Sequence, residues 1–536
     1  MARSRKSTYK PLLFTTTLRN PERMKRLLNI LTKFNGKILT SSLAEDIIAE
    51  LIKYGLYRPM KINNTIKEKW ATSKKGEFSE ILLTDVEVQE ILNNNPQNHK
   101  EAGFDKGWAS RFATYFDFAK ELGFVYYWPD EKIEFSKIGL NLANSIKVDV
   151  DGDTILVSEP HPEFEQQAFL QALAKYQRNN PFVKVLNNNV PLVLLLQVIK
   201  KLNDDPEYNG VGISKLEIPL ILYWKDNDSE ALYQRIKKLR TEYGYTPSWE
   251  VITDICRNEI MQGTDVKRDD KSIMVDYPDE FIRKMRLTGL ISLRGAGRFI
   301  DINKNEIEKV EYILAHYSTY PIFKKEKEYF NYMAKTDESL ISFETKTLSV
   351  DENDQLLLKW IEIYSWDTIK SELKRLAKKA SSRDEVLKLL SHPIRLEFLT
   401  SLAIKSKHRN LKIVPNYPTD DEGIPTSTAG GQGNQGDIEC FEDENGILVE
   451  VTMSGGRTQT MMEVWPIARH LTEFSKKVKE NSMCHFIAPS IYVDSEKQIK
   501  YLKDTEGLNI QPRTINDFIS FLETNEKLFE TSNDNA

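Results

Sequence analysis

Two carboxylates, Asp437 and Glu450, stand with twelve residues between them, one in Gly436-Asp437-Ile438-Glu439-Cys440-Phe441-Glu442 and the other in Ile447-Leu448-Val449-Glu450-Val451-Thr452. Both stretches read as strands, and the intervening Asn445-Gly446 predicts a hairpin turn. Period-2 alternation sends Glu450 to the same face as Leu448 and Thr452. A carboxylate pair on adjacent strands near a sheet end offers hard oxygen ligands to Mg²⁺. A cation held there can acidify a water, position a phosphate and stabilise developing charge, which is the chemistry of phosphodiester hydrolysis. The spacing alone is not diagnostic, because acidic pairs on exposed strands are common. Its weight comes from the elements around it.

Other chemistries find little support. The loop Ala429-Gly430-Gly431-Gln432-Gly433-Asn434 lacks the Gly-Lys-Ser/Thr of a phosphate-binding loop and reads as an approach to the carboxylates. Cys256, Cys440 and Cys484 are odd in number and far apart, with no Cys-x-x-Cys, so neither a disulfide framework nor a zinc ribbon is expected. Cytoplasmic residence is the natural expectation. The longest apolar run, Val190 to Ile199, is too short to span a bilayer and predicts a buried helix. The charged Met1-Ala2-Arg3-Ser4-Arg5-Lys6 leads into no apolar segment of a secretory signal.

The elements that must position Asp437 and Glu450 form one α/β unit. A helix is predicted over 383–405, a strand over 411–414, the carboxylate-bearing hairpin, a long helix to about Glu480, a strand over 483–487 and a helix from about Ser495. The chain of 536 residues is too long for one ordinary domain, and the fold class predicted is multidomain α+β. Its first 310 residues carry one pattern twice. A helix with Phe112, Tyr115, Phe116 and Ala119 on its apolar face ends at Gly123; a strand (124–128), a Pro129-Asp130 turn, a strand (133–135) and a helix from Ser136 follow. A helix over 280–287 ends at Gly289; a strand (290–293), the turn Arg294-Gly295-Ala296-Gly297-Arg298, a strand (299–302) and a helix from Asn303 follow. Glycine suits a helix C-terminus, and Ser and Asn suit N-caps.

Helix, hairpin, helix is the pattern of a winged helix, in which a helix enters the major groove and the hairpin touches the DNA backbone. Arg111, Arg294 and Arg298 are the candidate DNA contacts, set against the plainer reading that they are surface charge. Residues 1–40 hold ten Lys/Arg against Glu22 alone, in a chain whose net charge is −5. A local basic region of this kind suits phosphate contact, and a solvated basic tail is its plain alternative. The expected organisation is a DNA-recognition region (1–305), a charged helical linker (306–381) and an α/β domain (382–536).

Gly430-Gly431-Gln432-Gly433-Asn434-Gln435-Gly436-Asp437-Ile438-Glu439, Val449-Glu450-Val451-Thr452 and Ile467-Ala468-Arg469-His470, in that order, resemble the cleavage domain of the AlwI-type (type IIS) restriction endonucleases, a group with related nicking enzymes. Phe14-Thr15-Thr16-Thr17-Leu18-Arg19-Asn20-Pro21-Glu22-Arg23 and the two helix–hairpin–helix patterns also resemble that family, so the resemblance spans essentially the whole chain. It implies a PD-(D/E)XK-type domain of order αβββαβ that hydrolyses DNA at a set distance from a short asymmetric site, leaving 5′-phosphate ends. It further implies metal ligation by Asp437, Glu450, the Val451 carbonyl and Glu397, with Glu463 and His470 at the edge of the centre. Thr452 stands where the PD-(D/E)XK motif has Lys, as Glu-Val-Thr does in the family resembled, which keeps activity expected and leaves the general base open among metal-activated water, Glu463 and His470. Gly436 stands where the motif more often has Pro, which is expected to loosen the turn. Double-strand cleavage would need a transient homodimer or a second catalytic subunit, and a companion DNA methyltransferase is expected. The rival readings are a catalytically inert winged-helix regulator and a structure-specific repair nuclease.

Overall fold

Gly123 and Gly289 both take the left-handed conformation, at φ +78° and +77°, which residues with a Cβ rarely adopt. Each ends a helix and turns the chain into a hairpin. The computed structural model describes residues 8–11, 21–71, 73, 75–101, 103–208, 210–264, 268–346, 348–429 and 435–530. The stretch Phe14–Asn20, the basic residues Arg3, Arg5, Lys6 and Arg19, and the glycine-rich Gly430–Asn434 lie outside the described residues. The chain divides into one unit of residues 1–155 and 163–345 and another of residues 156–162 and 346–536.

In the first unit, α1 (Arg111–Glu121) buries Phe112, Tyr115, Phe116 and Ala119. After Gly123, β1 (Val125–Tyr126) pairs antiparallel with β2 (Glu134–Phe135). Ser136 caps α2 (Lys137–Asn144), its Oγ accepting from Gly139 N at 3.0 Å. The apolar run becomes α3 (Pro191–Asp204), buried along most of its length and opened by Pro191, which needs no amide partner in the first turn. The second pattern follows β3 (Ile213–Ser214): α4 (Tyr277–Arg286), β4 (Ile291–Arg294), β5 (Phe299–Ile302), then a cap at Asn303 and α5 (Ile307–Tyr317). Two-residue β3 pairs antiparallel with β5, widening the expected hairpin to three strands in the order β3-β5-β4.

The basic N-terminal stretch is not uniformly a solvated tail. Arg23 and Lys25 are buried; Arg23 donates to the Leu56 carbonyl, and Lys25 bonds Glu165 at 3.1 Å.

In the second unit, α6 (Val350–Ile363) and α7 (Trp366–Ala377) begin at Ser349 and Ser365, each hydroxyl accepting an amide of the first turn. The division at 345/346 falls inside the stretch read as a linker. α5 goes with the first unit, and α6 and α7 go with the second. The helix expected over 383–405 is α8 (His392–Lys407), and the strands follow as β6 (Lys412–Pro415), β7 (Ile438–Glu442) and β8 (Asn445–Val451). Then come α9 (Gly456–Met462), α10 (Val464–Ser475), β9 (Ser482–Ala488), α11 (Val493–Glu506), β10 (Ile510–Thr514) and α12 (Ile515–Thr524). The sheet order is β10-β9-β8-β7-β6. β6, β7 and β8 run antiparallel, whereas β9 and β10 join in parallel. Leu448, Val464, Leu471, Phe474, Cys484 and Phe486 form the buried layer between β8, β9 and α10. Full burial of such a side chain contributes roughly 1.5–3 kcal/mol.

Two expectations about this unit need correction. The hairpin turn is Asp443-Glu444, with Asp443 left-handed at φ +55°, and Asn445-Gly446 opens β8. Gly446 is there for space, since a Cβ would lie 2.3 Å from Val478 Cγ2 and 2.7 Å from Phe474 Cε1. The single long helix is two, broken at Glu463, with Pro466 in the first turn of the second. Among the described residues, no helix is long and apolar enough to cross a membrane.

Candidate active site

Hairpin symmetry brings the two carboxylates together. Glu442 pairs with Asn445 and Ile438 with Val449 across the two-residue turn. Carried one residue further, that register sets Asp437 opposite Glu450, on one face. A turn on Asn445-Gly446 would instead have set Phe441 opposite Glu450. Asn416 secures the entry to β7: its amide N donates to the Asp437 carbonyl at 2.9 Å, and its Nδ2 donates to the Gly436 carbonyl at 2.7 Å. Asp437 Oδ2 accepts from the Val451 amide at 2.8 Å, tying the carboxylate to the end of β8. Gly436 meets a requirement for space. A Cβ there would lie 2.4 Å from Glu450 Oε1 and 2.5 Å from Leu448 Cδ1, so glycine lets the Glu450 carboxyl lie against the backbone.

Three further side chains join this pair. Glu397, buried on α8, accepts from the Ala429 amide at 2.9 Å. His470, on α10, places Nδ1 2.8 Å from Glu450 Oε1. Glu463, at the junction of α9 and α10, accepts through Oε1 from Thr452 Oγ1 at 2.8 Å and Ser454 Oγ at 2.9 Å. The break at Glu463 means that it and His470 are not two positions along one helix face. Glu463 sits at the helix start and His470 within it, and they meet different partners.

Burial and mutual repulsion govern the charges. Burial, then the neighbouring Glu450, pushes the Asp437 carboxyl well above its ordinary range, against the pull of the Val451 amide. Glu450 is likewise raised well above that range by burial and then by Glu463. Glu397 is raised by burial and then by Asp437. Glu463 is raised by burial, although its two hydroxyl donors and His470 pull the other way. His470 is lowered by burial and by Arg469. Burial thus works against charge on both members of the His470–Glu450 contact. Four carboxyl groups that oppose one another's ionisation form a centre short of positive charge.

The donor set, oxygen-rich and acidic, fits a hard divalent cation. Among the described residues, no three Asp, Glu, His or Cys side chains are already gathered around one point. Such an ion would complete its shell with a backbone carbonyl such as that of Val451, with water or with substrate oxygens.

The candidate DNA-contacting arginines all lie in the first unit. Arg111 Nε donates to Gln97 Oε1 at 2.6 Å. Arg294 is ion-paired with Asp301 at 2.5 Å and also donates to the Ile302 carbonyl. Arg298, at the hairpin tip, is exposed.

Sequence reasoning did not single out Ser454 or Gln459, and it noted Thr452 only as the residue replacing lysine. Gln459 is fully buried and bonds Ser454 O, Ser490 O and Tyr492 N. A glutamine on a short helix gives no local sign of such bonds.

The family model described as AlwI restriction endonuclease matches residues 120–364 and 351–521. A comparison with curated proteins gives no match. Among solved structures, the small subunit (R.BspD6I2) of the heterodimeric restriction endonuclease R.BspD6I is 24% identical, with 31% of this chain and 82% of that one covered, at a TM-score of 0.25. Restriction endonuclease FokI is 12% identical, with 97% and 96% covered at a TM-score of 0.25; bound to DNA, it is 12% identical, with 98% and 96% covered at 0.24. At such scores these likenesses carry no part of the assignment. The family match takes in most of both units, and the chain belongs to the AlwI restriction endonuclease family of site-specific DNA endonucleases.

Proposed function

We infer that this chain is a type IIS endonuclease of the PD-(D/E)XK kind, hydrolysing DNA phosphodiester bonds at a set displacement from a short asymmetric site, with Mg²⁺ and with 5′-phosphate products. The observation that carries this reading is the Asp437–Glu450 pair, set opposite each other by the hairpin and raised together by burial and repulsion. Asp437, Glu450, Glu397 and the Val451 carbonyl would hold the cation, which when bound supplies Lewis acidity to the phosphate and to water. His470 would steady Glu450 through their 2.8 Å contact. Glu463, with Oε1 taken up by two hydroxyls, has Oε2 to orient the attacking water and receive its proton.

The helix–hairpin–helix modules of the first unit are the DNA readers in this reading, as winged helices. Arg298 is the best placed of the three arginines, because Asp301 occupies Arg294 and Gln97 occupies Arg111. One such centre cuts one strand, so double-strand cleavage requires a second copy or another catalytic subunit, and its absence gives a nicking enzyme.

Digestion of unmethylated plasmid with Mg²⁺, wild type beside Asp437→Ala, tests the reading. Discrete cuts at one offset from one motif, mapped by run-off sequencing and reduced on the order of a thousandfold in the variant, are the expected result. DNA bound but never cut with Mg²⁺ or Mn²⁺, or equal cutting by Asp437→Ala, would overturn it.

A further inference from the structure

Thr452 occupies the position at which the PD-(D/E)XK motif carries its lysine, so what takes over that position is a question the local bonds can answer. Immediately after β8 the chain runs Thr452-Met453-Ser454-Gly455 into α9. Thr452 stays tied to the sheet, its amide donating to the Ile487 carbonyl of β9 at 3.0 Å. Its hydroxyl accepts from Ser454 N at 3.0 Å and donates to Glu463 Oε1 at 2.8 Å. Ser454 Oγ donates to the same oxygen at 2.9 Å. Two hydroxyls from one tight loop therefore converge on one oxygen of the Glu463 carboxylate.

That loop has its own anchor. Gln459 Nε2 donates to the carbonyls of Ser454, at 3.1 Å, and Ser490, at 2.9 Å, while its Oε1 accepts from Tyr492 N at 2.8 Å. The amide therefore joins the loop after β8 to the loop after β9. Because Gln459 is fully buried, any bond it loses leaves a polar group unsatisfied. Glu463 N in turn donates to the Gln459 carbonyl at 3.1 Å, so the same residue also fixes the backbone from which Glu463 projects.

We propose that Thr452, Ser454 and Gln459 are positioning residues for DNA cleavage: the two hydroxyls aim Glu463 at the attacking water, and Gln459 holds the loop that presents them. A lysine would act there as a point charge. In this chain a neutral hydroxyl pair orients a carboxylate instead. The inference rests on the reading of Asp437 and Glu450 as the cleavage centre.

The test is the conversion of supercoiled plasmid under single-turnover conditions, with the full chain in excess and Mg²⁺ present. Two quantities are read: the rate at saturating enzyme and the enzyme concentration giving half that rate. A hydrogen bond to a charged group is worth about 1.5–3 kcal/mol, which corresponds to a tenfold to hundredfold effect. Ser454→Ala and Thr452→Val should each slow the saturated rate about tenfold or more, with the half-saturating concentration and the unfolding temperature unchanged. Thr452→Ser, which keeps the hydroxyl, should restore the rate to within about twofold. Gln459→Leu should slow cleavage as well, and the loop variants keep the test open if it fails to fold.

Saturated rates within twofold of wild type in both Ser454→Ala and Thr452→Val overturn the proposal. A loss that appears only in the half-saturating concentration, or only through unfolding, overturns it too. Asp437→Ala, run in parallel, separates the two readings. Cleavage that survives in it removes the assignment of the centre. Cleavage lost in it but intact in the loop variants removes this inference alone.

Discussion

Two buried charged sites, one in each unit, are built on opposite principles. In the first unit Arg240 meets Glu217 through two bonds of 2.8 Å, and a third N–H reaches the Gly212 carbonyl at 2.7 Å. Each charge has its counter-charge, and the site is structural. In the second unit Asp437, Glu450, Glu397 and Glu463 lie within electrostatic reach of one another, His470 contacts Glu450, and all four carboxyls are pushed upward. Buried charge alone therefore does not mark function. Buried charge left for something else to neutralise does.

The largest test of this contrast is to unbalance the structural site. Glu217→Gln leaves Arg240 buried without its counter-charge and should cost about 3–5 kcal/mol. Chemical denaturation following the first unit should show that loss, and an unchanged midpoint would mean that the pair is dispensable.

A middle case concerns His485, a group kept neutral instead of paired. Its Nε2 donates to the Leu528 carbonyl at 2.9 Å and its Nδ1 accepts from Arg513 at 2.7 Å. Burial, then Arg513, lowers its pKa to about 3. The unfolded chain takes up a proton near pH 6.5 and the folded one does not. This stability is therefore complete above pH 6.5 and is lost as pH falls, by roughly 2 kcal/mol at pH 5. Urea midpoints at pH 7 and pH 5 should show this slope, reduced in His485→Gln; an equal slope in that variant would clear His485 of the effect.

The smallest effect is also the one with unusual sign. Carboxyls raised in the folded state favour folding only while protonated, so their contribution is present in the ordinary carboxylate range and lost as pH rises through the folded values. Asp437→Asn should therefore abolish cleavage yet stabilise the second unit at pH 8. The gain follows the upward direction of the Asp437 shift and reads as a higher urea midpoint at pH 8. The gain should vanish near pH 4, and a destabilised Asp437→Asn at pH 8 would break the contrast.

Much of the scaffold was legible because its signals are local. The glycines ending α1 and α4, the caps at Ser136 and Asn303, and the alternation through Ile438 to Val451 placed both helix–hairpin–helix modules and the strands bearing Asp437 and Glu450. Other features depend on contacts distant in sequence. Asn445-Gly446 imitates a turn, yet Gly446 serves the packing of Phe474 and Val478. β10 contains Pro512, which weakens its strand signature, and it was not anticipated at the sheet edge beside β9. β3 is only two residues long, too short for alternation to show. The bonds of Thr452, Ser454 and Gln459 around Glu463 join three elements, and no local spacing encodes them.

The two-residue turn at Asp443-Glu444 sets how far sequence drift can go in this hairpin. Residues 416–436 join β6 to β7 by a long connection, whose length does not set the register between β7 and β8. One residue added to either strand between the turn and its carboxylate would send Asp437 and Glu450 to opposite faces of the sheet. Divergent copies of this gene should therefore vary in length before Gly436 and keep a constant count from Asp437 to Glu450.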